Sequence, residues 1–554
     1  MSSVWTKNRA IKRRCNAVSD AANKSRKEGS ASDGEVASAA GQIEGFSSIG
    51  EEGSLTERDL ASPMEEKLSS DGELVAEDLS DDDNEETELN VSANFRDHSV
   101  ECSPLDQLRE WAINAHIPHN SLKGLLSILR KNYDATLPSD PRTLLGTPKF
   151  IADVKICAGG KYFHLGIEQC VRKYAETKDF LSFSNLEVVI NIDGVNVTRS
   201  GKHVLWPILC SFENEDCFIS NSVYVIGIFY GSEKPNCVGE FLEAFIEDLD
   251  RSKKSGINFG EHTVYCNLKY FVCDAPARKM LKCIKAHNAY YGCERCIQKG
   301  SHSRVHYFPN VQGILRTDES FRLQTNSEHH LGISPLLNLG IGMVSCFVLD
   351  PMHLIYLGVV KRLMNLWLKG SLEYRLSPDK KTALSRRLEE ISAYMPHEFS
   401  RKPRSLDFFD RFKAKEFRTF LLYLGPLCLK GILGDYFYDN FITLSVAIRT
   451  LSTKSICQQK IGLCRSLLTL FVKSFKKLYG EENVVYNVHN LLHICDDCER
   501  FGNLDSISCF KFESYLGSLT RLIRKPNHIL VQLINRLHED RVHKNSQRKK
   551  KVIV

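Results

Sequence analysis

Leu186-Glu-Val-Val-Ile-Asn-Ile-Asp193-Gly194 is a β-rich run that stops at an acid and a turn glycine. Val204 to Phe212 and Val223 to Tyr230 carry the same branched and aromatic composition and predict two further strands. The period then changes. In Val238 to Leu249 the apolar positions Phe241, Leu242, Phe245, Ile246 and Leu249 fall at helical spacing. Leu268-Lys-Tyr-Phe-Val-Cys273 reverts to strand and ends at Asp274-Ala-Pro-Ala277. The order is strand, strand, strand, helix, strand, with an acid closing the first and the fourth strand.

That is the order of an RNase H-like core, an α/β fold with a mixed sheet that needs one more helix to supply its last carboxylate. Glu513 meets the requirement in Phe510-Lys-Phe-Glu-Ser-Tyr-Leu-Gly-Ser-Leu-Thr-Arg521, a helix with apolar residues on one side and Arg521, Arg524 and Lys525 on the other. Between the two parts, Leu354 to Lys369, Asp379 to Tyr394, Phe417 to Leu433, Phe441 to Leu451 and Ile461 to Leu478 are helical patterns with few strand signals between them. The sequence therefore divides into a tail over 1–102, a small helical domain over 103–180, and the first part of the core over 181–300. A helical insertion over 301–485, completion of the core over 486–540 and a basic tail over 541–554 follow. At the start of the ordered part, Pro104 to Ala115 and Ser121 to Lys131 read as a helical hairpin around His116-Ile-Pro-His-Asn120.

Composition narrows the class. The 554 residues are 42% hydrophobic with a net charge of +5, enough for two or three cores. No stretch of about eighteen uninterrupted apolar residues occurs, so no membrane partner is expected. With no secretory pattern at the start, the nineteen cysteines are read as buried thiols of a reducing compartment. From about Ser30 to Asn90 the chain is rich in Ser, Glu, Asp and Gly, including Asp81-Asp-Asp-Asn-Glu-Glu86, and predicts an acidic disordered region. Basic clusters at Lys7 to Arg14 and Arg548 to Lys551 suit nuclear import or phosphate contact, or else are solvated termini.

Two constellations carry chemistry. Phosphodiester cleavage with two metal ions needs carboxylates from separate segments converging on hard cations, and Asp193, Asp274 and Glu513 are of the right type for Mg²⁺ or Mn²⁺. The second is Cys293-Glu-Arg-Cys296, nineteen residues after Asp274, with His489-Asn-Leu-Leu-His493 ending twenty residues before Glu513. Two thiols and two imidazoles at these spacings suit a structural Zn²⁺ that would pin both ends of the helical insertion beside the acids. Cys495 and Cys498 are rival ligands. Asp350-Pro-Met-His353 precedes a helix, so Asp350 is a cap, an accessory site residue together with His353, or a competing third acid.

Several of these motifs together resemble eukaryotic transposases of the CACTA (En/Spm) group, of the animal "transposase domain-containing" type. They are Asp193-Gly, Trp206-Pro-Ile, Gly227-Ile-Phe-Tyr-Gly231, Cys273-Asp-Ala-Pro-Ala277, Gly292-Cys-Glu-Arg-Cys296, Asp350-Pro-Met-His-Leu-Ile-Tyr-Leu-Gly358, Lys402-Pro-Arg-Ser405 and Phe512-Glu-Ser-Tyr-Leu-Gly517. The likeness runs from about Leu105 to Glu539. It implies a nuclear DDE enzyme that cuts and joins DNA with two Mg²⁺ or Mn²⁺ ions, acting on transposon ends and target as a homo-oligomer on DNA. The cysteine and histidine pairs are similar to those of the V(D)J recombinase catalytic subunit. That likeness implies Cys293, Cys296, His489 and His493 as zinc ligands and Glu513 as the third acid. The sequence departs from it in lacking an evident N-terminal DNA-binding zinc finger. The alternative is a catalytically silent, domesticated DNA-binding or interaction protein that keeps the fold.

Overall fold

Strand β3 (Asn185–Ile192) is buried along nearly its whole length, because it lies in the middle of a sheet covered on both faces. The computed structural model describes residues 103–149, 154–175, 184–197, 203–213 and 222–552. The acidic region and basic cluster expected within 1–102 lie outside them. Three helices come first: α1 (Pro104–Asn114), α2 (His119–Asn132) and α3 (Pro141–Leu145). Ala112, Leu122, Leu126, Leu144 and Leu145 give them a small core of their own.

The sheet is mixed. Its strands are β1 (Lys155–Cys157), β2 (Gly160–His164), β3, β4 (Val195–Asn196), β5 (Val204–Glu213), β6 (Tyr224–Gly231), β7 (Ile257–Phe259), β8 (His262–Cys273) and, past a separate β9 (Ser301–His302) and β10 (His306–Tyr307) hairpin, β11 (Phe347–Leu349). They lie in the order β1-β2-β6-β5-β3-β8-β11, with β4 beside β5 and β7 beside β8. From β1 to β3 every neighbour is antiparallel, whereas β3, β8 and β11 run parallel to one another. Helix α4 (Ile167–Ala175) buries Ile167, Cys170, Val171 and Tyr174 in the core on the sheet. Helix α5 (Val238–Lys254) adds Phe241, Leu242, Phe245 and Leu249, the positions its periodicity singles out. After β8, α6 (Ala275–Lys282) begins at once.

Two domain boundaries differ from the sequence reading. The segment 103–180, expected to be helical, includes β1 and β2, which extend the sheet. The expected insertion over 301–485 contains β11, a full member of the sheet, so its long helices begin only after residue 350. Three residues show no period, and β11 is held by pairing with β8 and by Phe347 stacking on Phe271 at 4.7 Å. Beyond β11 come a π-helical stretch, Met352–Val360, and α7 (Lys361–Lys369), α8 (Pro378–Ser392), α9 (Ala414–Thr419), α10 (Asp435–Ser452) and α11 (Cys457–Tyr479). Helices α12 (Tyr486–Asn490), α13 (Ile494–Phe501), α14 (Phe510–Arg521) and α15 (Ile529–Val552) close the fold. No helix among the described residues is long and apolar enough to cross a membrane.

Candidate active site and metal centre

The parallel registers decide where the acids stand. Ile190 is level with Phe271, and Leu349 with Cys273. Continued by one to three residues, these registers bring Asp193, Asp274 and Asp350 to the same edge at the carboxyl ends of three adjacent strands. Asp193 accepts a 2.7 Å bond from the Gly194 amide. Asp274 caps α6, its Oδ1 taking the Ala277 amide at 2.7 Å, which accounts for the Asp-Ala-Pro sequence: a cap followed by a proline in the first turn. Glu513 sits in the first turn of α14, its carboxyl within hydrogen-bonding reach of Asp193. Desolvation, then the charges of Asp274 and Glu513, push the Asp193 carboxyl well above the ordinary carboxylate range. The three expected acids thus stand at one end of the sheet with Asp193 in electrostatic reach of the other two, though they are not among the groups whose ligand atoms all lie within 4.8 Å of one another.

Asp350 has its carboxylate engaged by the protein's own donors, and with His353 and Cys509 it offers ligand atoms within 4.8 Å of one another. It is buried, and both its oxygens are occupied. Oδ1 accepts from the Cys509 amide at 2.8 Å and the Met352 amide at 3.2 Å. Oδ2 takes the His353 amide at 2.9 Å and lies 2.7 Å from His353 Nδ1. The cap reading therefore holds. His353 Nε2 stands 3.9 Å from Glu513 Oε1. Desolvation opposes its charge, but the bond to Asp350 and the charges of Asp350, Glu513 and Asp274 prevail and push its pKa up to about 9. A cationic imidazole, oriented from behind by a buried carboxylate, thus faces the third acid. Its helix opens with π geometry, a feature found often at functional sites.

The second constellation also converges. Cys293, Cys296, His489 and His493 are all buried, and one ligand atom from each lies within 4.8 Å of the others. The Sγ atoms are 3.6 Å apart, Cys296 Sγ is 3.3 Å from His489 Nε2, and the two Nε2 atoms are 3.3 Å apart. Metal–sulfur bonds near 2.3 Å and metal–nitrogen bonds near 2.0–2.1 Å in a tetrahedron require edges of about 3.8, 3.6 and 3.3 Å. The donor set therefore fits one tetrahedral ion. A Cβ on Gly292 would strike the Ala286 carbonyl, so the turn before Cys293 depends on glycine. Cys498 instead meets Cys457 of α11, and neither Cys495 nor Cys498 belongs to the cluster.

Arg521, Arg524 and Lys525 are exposed at the end of α14. The Arg524 guanidinium donates to the His116 carbonyl at 2.9 Å, tying this end of the site to the turn between α1 and α2. Gln532 fixes the intervening loop, accepting from the Arg524 and Lys525 amides and donating to the Lys525 and Asn527 carbonyls.

Sequence reasoning missed the buried ions that surround these sites. Glu294 and Arg295, between the two cysteines, are 4% and 5% exposed. The signal was present, since two charges inside a buried Cys-x-x-Cys turn must find partners. The chain matches no known family model and no curated protein.

Proposed function

We propose that this chain is a DDE-type DNA transposase, or a derivative of one, built on an RNase H-like core. The observation that carries the reading is the placement of Asp193, Asp274 and Glu513 at one end of the sheet, where burial and then the charges of Asp274 and Glu513 raise the Asp193 carboxyl well above the ordinary carboxylate range. Carboxylates brought to one sheet edge from two strand ends and a helix suit cation ligands. Part of the sheet supports the same reading: β3, β5 and β6 pair antiparallel, β8 and β11 follow parallel to β3, and the first two acids stand at the ends of the adjacent parallel strands β3 and β8. Two Mg²⁺ or Mn²⁺ ions bound by these acids would supply activation of the attacking oxygen and stabilisation of the leaving one. His353, aligned by Asp350, holds the Glu513 carboxylate in place. Cys293, Cys296, His489 and His493 hold a structural Zn²⁺. The work of such an enzyme is cleavage and joining of DNA in the nucleus, with copies of the chain assembled on transposon ends and target.

Wild-type protein should nick supercoiled plasmid in the presence of Mn²⁺ or Mg²⁺, and Asp274→Asn should bind the plasmid but leave it intact. Equal nicking by both proteins would sink the reading. Arg521 and Lys525 would meet phosphate, so affinity should fall steeply with salt. In Arg521→Ala/Lys525→Ala the slope of log affinity against log salt should flatten by about 1.8, or about 0.9 for each phosphate left without its cation. An unchanged slope would remove these residues from the DNA path.

A further inference from the structure

Buried ion pairs seldom add net stability, so a cluster of them invites a question about what they hold in place. Here two sets radiate from the residues between the metal-centre cysteines. Glu294 Oε1 is 2.9 Å from Arg278 Nε and accepts from the Tyr486 hydroxyl at 2.9 Å, while its Oε2 lies 2.8 Å from Lys282 Nζ. Arg278 also donates to the Tyr486 hydroxyl at 3.0 Å and to the carbonyl of Cys273 at 2.5 Å. Cys273 is the last residue of β8, and Asp274 follows it.

The second set runs the other way. Arg295 donates to the Phe347 carbonyl at 2.5 Å and to Asp497 Oδ2 at 2.8 Å. The same Asp497 oxygen accepts the Leu349 amide at 2.8 Å. Phe347 and Leu349 bound β11, which leads into Asp350 and His353. Asp497 lies four residues after His493 and Tyr486 three before His489, so both sets return to the histidine side of the centre.

We infer that Glu294 and Arg295 are positioning residues: through Arg278 and Asp497 they make the placement of Asp274, Asp350 and His353 depend on the cysteine–histidine centre. This rests on the reading of the acids as cation ligands. The centre then acts as a gauge for the distance between the ends of β8 and β11, in addition to fastening the helical insertion.

The test uses the full chain, Mn²⁺ binding by calorimetry, zinc by elemental analysis, and plasmid nicking. Arg278→Lys keeps the buried charge but cannot reach Cys273, Glu294 and Tyr486 together. It should retain its zinc and bind Mn²⁺ about tenfold more weakly, the usual scale for loss of an outer partner of a metal ligand. Nicking should recover at saturating Mn²⁺, separating misplaced ligands from a damaged fold. Tyr486→Phe deletes one hydroxyl and should shift Mn²⁺ affinity in the same direction, which keeps the test open if Arg278→Lys does not fold. Mn²⁺ affinity within twofold of wild type in a folded, zinc-loaded variant would overturn the coupling. Wild type that binds Mn²⁺ at the acids yet nicks no DNA would instead overturn the transposase reading and leave the coupling standing.

Discussion

Asn in place of Asp193 is expected to cut metal-dependent strand cleavage by at least about a thousandfold, a loss of about 4 kcal/mol from the transition state. It should also raise the thermal midpoint of the metal-free protein. Both effects have one cause. Asp193 stands against Asp274 and Glu513, and its raised pKa means that the folded state disfavours its charge. A carboxyl with a raised folded pKa binds protons more tightly folded than unfolded. Stability of the metal-free protein should therefore fall as pH rises from the ordinary carboxylate range through the raised value. The Asp193→Asn substitution abolishes that slope, and Mn²⁺ added to wild type offsets it. Melting curves across pH, with and without Mn²⁺, read all of this out. A variant that is less stable than wild type at neutral pH without metal would contradict the crowding of charge.

Cys293→Ser should lose about one zinc per chain and much of the protein's stability. The cysteine and histidine pairs lie 193 residues apart from Cys296 to His489, so an ion bridging them closes a long loop. The chain-entropy argument used for covalent cross-links gives about 5 kcal/mol for a closure of that length. Coordination itself adds to this, because serine is a poor ligand where a thiolate is needed. Elemental analysis of purified wild type and variant, with thermal melts of each, checks the expectation. A full zinc complement and an unchanged midpoint in the variant would dismiss Cys293 as a ligand.

The acids were legible because each closes a strand or opens a helix whose period can be read locally. The pairing of Cys293-x-x-Cys296 with His489-x-x-x-His493 was legible because spacing announces a metal pair even across a long insertion. β11 was not, since three residues leave no pattern and its existence depends on β8 beside it. The role of Asp350 was open for the same reason. Its four hydrogen bonds include one to the Cys509 amide, 159 residues away, and no local feature reports such a partner. The network around Glu294 and Arg295 escaped too, because charges usually mark surface and only the folded turn shows these to be enclosed.

Glu513 lies 320 residues downstream of Asp193, and the strands between them are complete long before it. A ribosome adding about 5–20 residues per second takes roughly 15 to 60 s to cover that interval. Throughout that time the nascent chain carries Asp193 and then Asp274 but lacks Glu513, and until the last twenty residues of the interval it also lacks His493. On the proposed reading it cannot assemble the acid set at any point of the interval, and it cannot close the zinc centre until His493 is made. On that reading a chain halted by premature termination anywhere upstream of Glu513 cannot cleave DNA through the three acids, however well its sheet has formed.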